Sequence, residues 1–141
     1  MLQYYGADPE FSLEGKTAVI TGGAAGIGYE TAKFFAKKGV NLVLADLNPG
    51  VDEIAKELDP KAVGIAGDVT NGAYRQSVVD LGVKQFGQID ILVNCAGIVA
   101  LEKAELISES DWDRTMNINL KSSFMMAQLL GKYFIDNHVN G

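Results

Sequence analysis

Short β-branched apolar runs alternate along this chain with stretches whose apolar residues recur at helical spacing. KTAVIT (Lys16–Thr21) predicts a first strand running directly into glycines. A helix is expected from Gly26 to Lys38, with Ile27, Ala32, Phe35 and Ala36 able to share one face. Lys37-Lys38-Gly39 suits its end, placing cations in the last turn and a glycine at the left-handed position after it. VNLVLAD (Val40–Asp46) is almost continuously apolar, as a strand buried on both faces of a parallel sheet should be. Asn48-Pro49-Gly50 predicts a turn, and Val51–Leu58 a short amphipathic helix. KAVGIAGD (Lys61–Asp68) reads as a third strand weakened by Gly64. Thr70 is expected to cap a helix running to about Phe86, with Val78, Val79, Leu81 and Val83 as its apolar positions and Gly87 as its stop. QIDILVN (Gln88–Asn94) is the fourth strand, and Ser108 or Ser110 should cap a long helix from about Asp111 to Asp136.

Strands alternating with helices imply right-handed crossovers and a parallel sheet. In such open sheets, ligands bind beyond the carboxyl ends of the strands. Those ends are all small or polar here: Thr21-Gly22, Asp46, Asp68 and Asn94. The expected organisation is an arm over residues 1–12, punctuated by Gly6 and Pro9, then one α/β domain over residues 13–141.

Composition narrows the partners. An apolar fraction of 48% and a charged fraction of 21% are ordinary for a globular domain. A net charge of −6 argues against a nucleic-acid partner, since phosphate neutralisation needs a basic surface. Any phosphate bound here must be held by backbone groups. A lone cysteine (Cys95) and a lone histidine (His138) make neither a disulfide framework nor a zinc site. No apolar run reaches the ~20 residues of a membrane span. The opening MLQYYGADPEFS has neither the basic start nor the apolar core of a secretion signal, so a cytoplasmic protein without a membrane association is expected.

Backbone capture of a phosphate is what TGGAAGIG (Thr21–Gly28) offers. Glycines between a strand and a helix permit a sharp turn, close approach to a pyrophosphate and tight helix–strand packing, and the helix N-terminus adds free N–H groups. The spacing is G-x-x-x-G-x-G, through Gly22, Gly26 and Gly28, rather than the commoner G-x-G-x-x-G. Asp46 ends the second strand, where a carboxylate accepts ribose hydroxyls and repels a 2′-phosphate. A turn or capping aspartate is the alternative. Leu47 follows Asp46 and the loop carries no basic residue, so NAD is favoured over NADP.

These residues resemble the short-chain dehydrogenase/reductase family. TGGAAGIG is similar to its T-G-x-x-x-G-x-G loop, and GDVT (Gly67–Thr70) to the D-[VL]-[ST] segment after its third strand. VNCAGI (Val93–Ile98) resembles N-N-A-G, and NINLKSSF (Asn117–Phe124) the region of its functional asparagine. The resemblance implies a Rossmann-type doubly wound parallel sheet, cut off after the fourth strand and its following helix. It implies that Gly22, Gly26, Ile27 and Gly28 carry the pyrophosphate, that Asp46 takes the adenosine ribose, that Asp68 accepts from the adenine amino group with the Val69 backbone beside the ring, and that Ala25 and Leu47 also belong to the cofactor site. Asp68 as an ordinary helix N-cap is the alternative. Asn94, Ala96 and Gly97 would line the cofactor, with Asn94 also tying neighbouring strands together, and Cys95 would point away into packing. Asn119 aligns with the catalytic asparagine, which helps hold a water in a proton relay.

The same resemblance implies an NAD(H)-dependent oxidoreductase passing hydride between nicotinamide and a secondary alcohol or ketone, in an intact homo-oligomer (dimer or tetramer). The family's serine and its Tyr-x-x-x-Lys fall after a fifth strand, beyond Gly141. Tyr29-x-x-x-Lys33 matches that pattern by coincidence, on the first helix at the phosphate end. The fragment by itself is therefore expected to be inactive, with an exposed apolar face where its fourth strand and last helix lack a partner. A non-catalytic dinucleotide-binding module is the rival reading, against which the presence of Asn119 is the argument. A methyltransferase using S-adenosylmethionine is a second rival, disfavoured by the glycine spacing and by Asn94-Cys95-Ala96-Gly97.

Overall fold

The structure, a computed structural model, describes residues 12–141, so all of the expected arm but Ser12 lies outside the described residues. The chain folds as β1 (Thr17–Thr21), α1 (Gly26–Ala36), β2 (Asn41–Asp46), α2 (Val51–Leu58), β3 (Val63–Ala66), α3 (Gly72–Phe86) and β4 (Ile91–Asn94). A short 3-10 turn (Ala104–Leu106) follows, then α4 (Glu109–Met116), a π-helical segment (Asn117–Lys121) and α5 (Ser122–Asp136). The strands form one parallel sheet in the order β3-β2-β1-β4.

The alternation of side chains along each strand explains the layers. Ala18 and Ile20 of β1 and Leu42 and Leu44 of β2 face α1 and α2, where Ala32, Val51 and Ala55 complete one buried cluster. Val19, Val43 and Ala45 face the opposite way, against Val78 and Val79 of α3 and Met126 and Leu130 of α5. The central strands thus bury both faces, which is why they read as unbroken apolar runs. Each fully buried aliphatic side chain of this kind contributes roughly 1.5–3 kcal/mol.

Several local expectations are corrected. Ile27 does not join the core face of α1; it is 80% exposed, and Gly28 and Ala32 face the sheet instead. Thr70 does not cap α3. Its N–H and hydroxyl both donate to Asp68 Oδ1, at 2.8 Å each, so the cap passes to Asn71, whose Oδ1 accepts from the Tyr74 N–H. The long helix begins at Glu109 under a Ser108 cap, with Asp111 N–H donating to the Ser108 hydroxyl, and the π segment interrupts it. The third and fourth strands are shorter than their apolar runs.

One buried carboxylate ties the sheet at the amino-terminal ends of β1 and β4. Asp90 is 6% exposed, and its Oδ2 accepts from the Thr17 N–H at 2.9 Å. Its Oδ1 accepts from Gln88 Nε2 at 2.6 Å, with the Lys16 ammonium 3.7 Å away. Such a group is expensive to leave unpaired. Replacing it with alanine orphans the first N–H of β1, so Asp90→Ala should lose about 1–3 kcal/mol of folding stability in urea denaturation. A midpoint unchanged from the wild type would show that β1 and β4 do not depend on this carboxylate.

Candidate functional site

β1 is followed in the sheet by β2 and β3 on one side and by β4 on the other. The chain therefore diverges at the β1/β4 boundary, the place where an open parallel sheet opens a crevice beyond its strand ends. Thr21 pairs with Asn94 there, and the turn after it is built on close backbone approach. Gly22 has φ +65, and a Cβ on it would lie 2.8 Å from the Ala96 nitrogen. A Cβ on Gly28 would collide with the Gly22 carbonyl. These contacts exclude any side chain at either position, and they draw the loop across the end of β1.

The loop is tethered on its other side by Asp46. Its Oδ2 accepts from the Ala24 N–H at 3.0 Å, and its Oδ1 from the Asn48 N–H at 2.9 Å. The Gly22 N–H donates to the Ala45 carbonyl at 2.8 Å. Asp46 is thus a turn aspartate as well as the residue at the mouth of the loop. Ala25 caps α1 with no side-chain bond, so the first-turn N–H groups of that helix remain for an anion.

A cavity of about 140 Å³ lies beside this loop. It is smaller than the roughly 300–1,000 Å³ of a complete small-molecule site, so it suits one part of a ligand. Gly22, Asp46, Leu47, Asp68, Val69, Ala96 and Gly97 all line it, which gathers residues from four strand ends into one place. Ala25, Gly26, Ile27 and Gly28 lie outside it along the loop and the start of α1, with Gly26 and Ile27 bordering a shallow groove with Phe34. Asp68 is held in a local turn with Thr70 rather than serving as the N-cap of α3, and the Val69 carbonyl accepts from Arg75 Nη1 at 2.8 Å.

Asn94 does not line the cavity. Its Oδ1 accepts from the Thr21 hydroxyl at 3.5 Å and its Nδ2 donates to the Ser123 carbonyl at 3.3 Å, which joins β1, β4 and α5. Asn119 also stands outside it. Its Nδ2 donates to the Ile98 carbonyl and its Oδ1 accepts from the Ile98 N–H, both at 2.8 Å. The side chain therefore clamps the segment after β4 from the π turn. Both polar atoms of the amide are engaged by that clamp, an arrangement that serves a binding module as well as an enzyme. Asn119 accordingly no longer separates an enzyme from a binding module.

Lys33 pairs with Glu30 at 3.5 Å on the exposed side of α1, and neither Tyr29 nor Lys33 lines the cavity. Among the described residues no cluster of His, Cys, Asp and Glu suits a metal ion, and no helix is long and apolar enough to cross a membrane. An apolar row of Trp112, Met116, Leu120 and Phe124 is exposed along α4 and into α5.

Sequence reasoning missed six cavity residues: Ala45, Gly67, Tyr74, Ile98, Arg114 and Ile118. Arg114 and Ile118 stand four positions apart and so share one helical face, a spacing visible in the sequence just before Asn119. Tyr74 carried no signal. Its hydroxyl donates to the Ile65 carbonyl at 2.7 Å. Burial pushes its phenol up to about 12; a backbone hydrogen bond from Asp46 opposes this, and the charges of Asp46 and Asp68 add to the rise.

The comparisons with known proteins agree with this geometry. The profile of the short chain dehydrogenase family matches residues 16–141. The NAD-dependent glycerol dehydrogenase of Listeria innocua is 40% identical over 95% of this chain and 53% of its own length. The D-threitol dehydrogenase of Mycolicibacterium smegmatis is 42% identical over the same shares, 95% and 53%. The crystal structure of a 3-ketoacyl-(acyl-carrier-protein) reductase from Brucella melitensis complexed with NADH superposes with a TM-score of 0.83 at 34% identity, over 89% of this chain and 53% of that one. The chain spans about half the length of the curated relatives it matches.

The raised Tyr74 pKa has a signed consequence. Stability that the neutral phenol contributes is complete below its ordinary value of 10.0 and is lost as pH rises toward about 12. Chemical denaturation of wild type and Tyr74→Phe across that window should show a steeper alkaline fall for the wild type. Parallel curves would remove the phenol as the cause.

Proposed function

The chain belongs to the short-chain dehydrogenase family, and from that membership we propose that it is the cofactor-binding half of an NAD(H)-dependent oxidoreductase. The whole protein would pass hydride between nicotinamide and a secondary alcohol or ketone. One observation carries the choice of cofactor: the Asp46 carboxylate lines the cavity directly beside Gly22, with Leu47 next to it and no basic residue on the glycine loop. The residues present fit a dinucleotide. Gly22 and Gly28 let the loop backbone close up more tightly than any side chain would permit, α1 offers uncapped N–H groups, and two carboxylates line the cavity at the proposed adenosine end.

The cofactor, when bound, supplies the hydride donor or acceptor. This chain's own residues bind and orient. The first-turn N–H groups of α1 and the loop backbone hold the pyrophosphate at Gly22, Ala25, Gly26, Ile27 and Gly28. Asp46 accepts from the adenosine ribose, and Asp68 accepts from the adenine amino group beside Val69. Ala96 and Gly97 give a side-chain-poor floor toward the nicotinamide half. Asn94 and Asn119 position that floor through Thr21, Ser123 and Ile98. The only Tyr-x-x-x-Lys of these 141 residues is Tyr29/Lys33 on α1, outside the cavity, so by itself the chain should not turn over substrate.

Two relatives are named for glycerol and D-threitol, so a polyol is the substrate class to try first with the whole protein. A cytoplasmic homo-oligomer belongs to the same proposal; the exposed row from Trp112 to Phe124 supports the oligomer.

The cofactor assignment is tested by titrating NADH and NADPH against wild type and Asp46→Asn. Asparagine keeps an acceptor for the Ala24 N–H but removes the charge. A full charge about 4 Å from a phosphate costs on the order of 1–4 kcal/mol in a partly screened site. The preference for NADH should therefore narrow by roughly ten-fold or more in the variant. Tighter NADPH binding by the wild type, or an unchanged ratio in the variant, would overturn the assignment.

A further inference from the structure

We propose that Tyr74 is the residue that sets the base specificity of the adenosine slot, by fixing the placement of Asp68 relative to Asp46. The proposal rests on the cofactor reading above and adds a residue to it. Tyr74 comes from the first turn of α3, yet it lines the cavity together with Asp46, Gly67, Asp68 and Val69. Its hydroxyl donates to the Ile65 carbonyl at 2.7 Å, which pins the ring beneath the end of β3.

The ring occupies the space that a side chain at position 67 would need. A Cβ on Gly67 would run into the aromatic edge of Tyr74, so the backbone leading into Asp68 rests directly on the ring. Gly67 in turn donates its N–H to the Asp46 carbonyl at 2.8 Å. Asp46, Gly67 and Tyr74 therefore form one continuous stack, with Asp68 at its top. Arg75 adds a second hold on the same loop through the Val69 carbonyl, so the loop is braced from below at two points.

The electrostatics agree with the geometry. Tyr74 lines the same cavity as Asp46 and Asp68, and the charges of both carboxylates add to the rise of its phenol pKa. The phenol remains neutral at physiological pH, so it stays a donor to Ile65 and never repels the ligand. A floor of this kind governs which base fits. Asp68 accepts from an exocyclic amino group only if its oxygen sits at the right depth, and that depth is set by a ring lying under a glycine.

The test compares NADH with its hypoxanthine analogue, reduced nicotinamide hypoxanthine dinucleotide, which lacks the amino group. Dissociation constants are measured by fluorescence for wild type, Tyr74→Phe and Tyr74→Ala, with circular dichroism confirming the fold. Wild type should prefer NADH. Tyr74→Phe, which keeps the ring and loses the tether, should lower the preference by roughly 3- to 10-fold, as expected for one mispositioned hydrogen bond. Tyr74→Ala should bring it close to parity. A merely structural role would weaken both dinucleotides alike and leave their ratio unmoved, and that result would overturn the proposal. If Tyr74→Ala fails to fold, the Tyr74→Phe ratio alone decides. Wild type that binds neither dinucleotide would instead overturn the cofactor reading, and the proposal with it.

Discussion

The contact between the backbones at Gly22 and Ala96 is the constraint on which the site depends. A parallel sheet whose chain diverges at β1/β4 opens a crevice there, but it stays a crevice only if the two strand ends remain close. Gly22 turns at φ +65 and leaves no room for a Cβ against Ala96. The Thr21 hydroxyl adds a link on each side, accepting from the Ala96 N–H and donating to Asn94. The start of α1 follows from that close approach, since Gly28 packs directly against the Gly22 carbonyl.

Carboxylates do the remaining organisation, each in a different way. Asp90 closes the lower end of the β1/β4 pair by accepting from a strand N–H that has no other partner. Asp46 does two jobs with separate oxygens, anchoring Ala24 and Asn48, while its placement keeps negative charge at the cavity. Asp68 uses one oxygen for Thr70 and has the other to offer. On the proposed function, the phosphates of an anionic ligand would meet backbone dipoles, and the acidic groups stand where hydroxyl and amino donors would arrive.

How much of this could be read in advance depended on whether the cause was local. Strand existence and order of elements were legible because β1 and β2 bury both faces and so carry unbroken apolar runs. The glycine loop and the polar strand ends were legible because their residue types are set by the turn they make. Ile27 misled because spacing alone cannot tell which of two adjacent positions faces the sheet, and Gly28 took that place. Thr70 and Asn71 both carry capping oxygens; only the competing turn at Asp68 assigns the cap to Asn71. Tyr74 was invisible for a deeper reason. Its place at the cavity comes from a helix crossing under β3, and no neighbouring residue announces that crossing. The segment Asn117–Lys121 contains no proline or glycine, so nothing in its composition marks a wider turn.

That wider turn governs the phase of the helix on both sides of it. On an ordinary α-helix, a row of every fourth residue drifts by about 40° per step, so a long row winds away from the surface it began on. A turn closed five residues back is looser and cancels part of that drift. Arg114 and Ile118 face the cavity, and Ser122, Met126 and Leu130 continue the same row into the core. Trp112, Met116, Leu120 and Phe124 form the matching row toward solvent. The π segment thus reduces the drift: one row of residues runs from the cavity lining at the start of the helix to the sheet-facing core at its end, and a second row stays on the outer side.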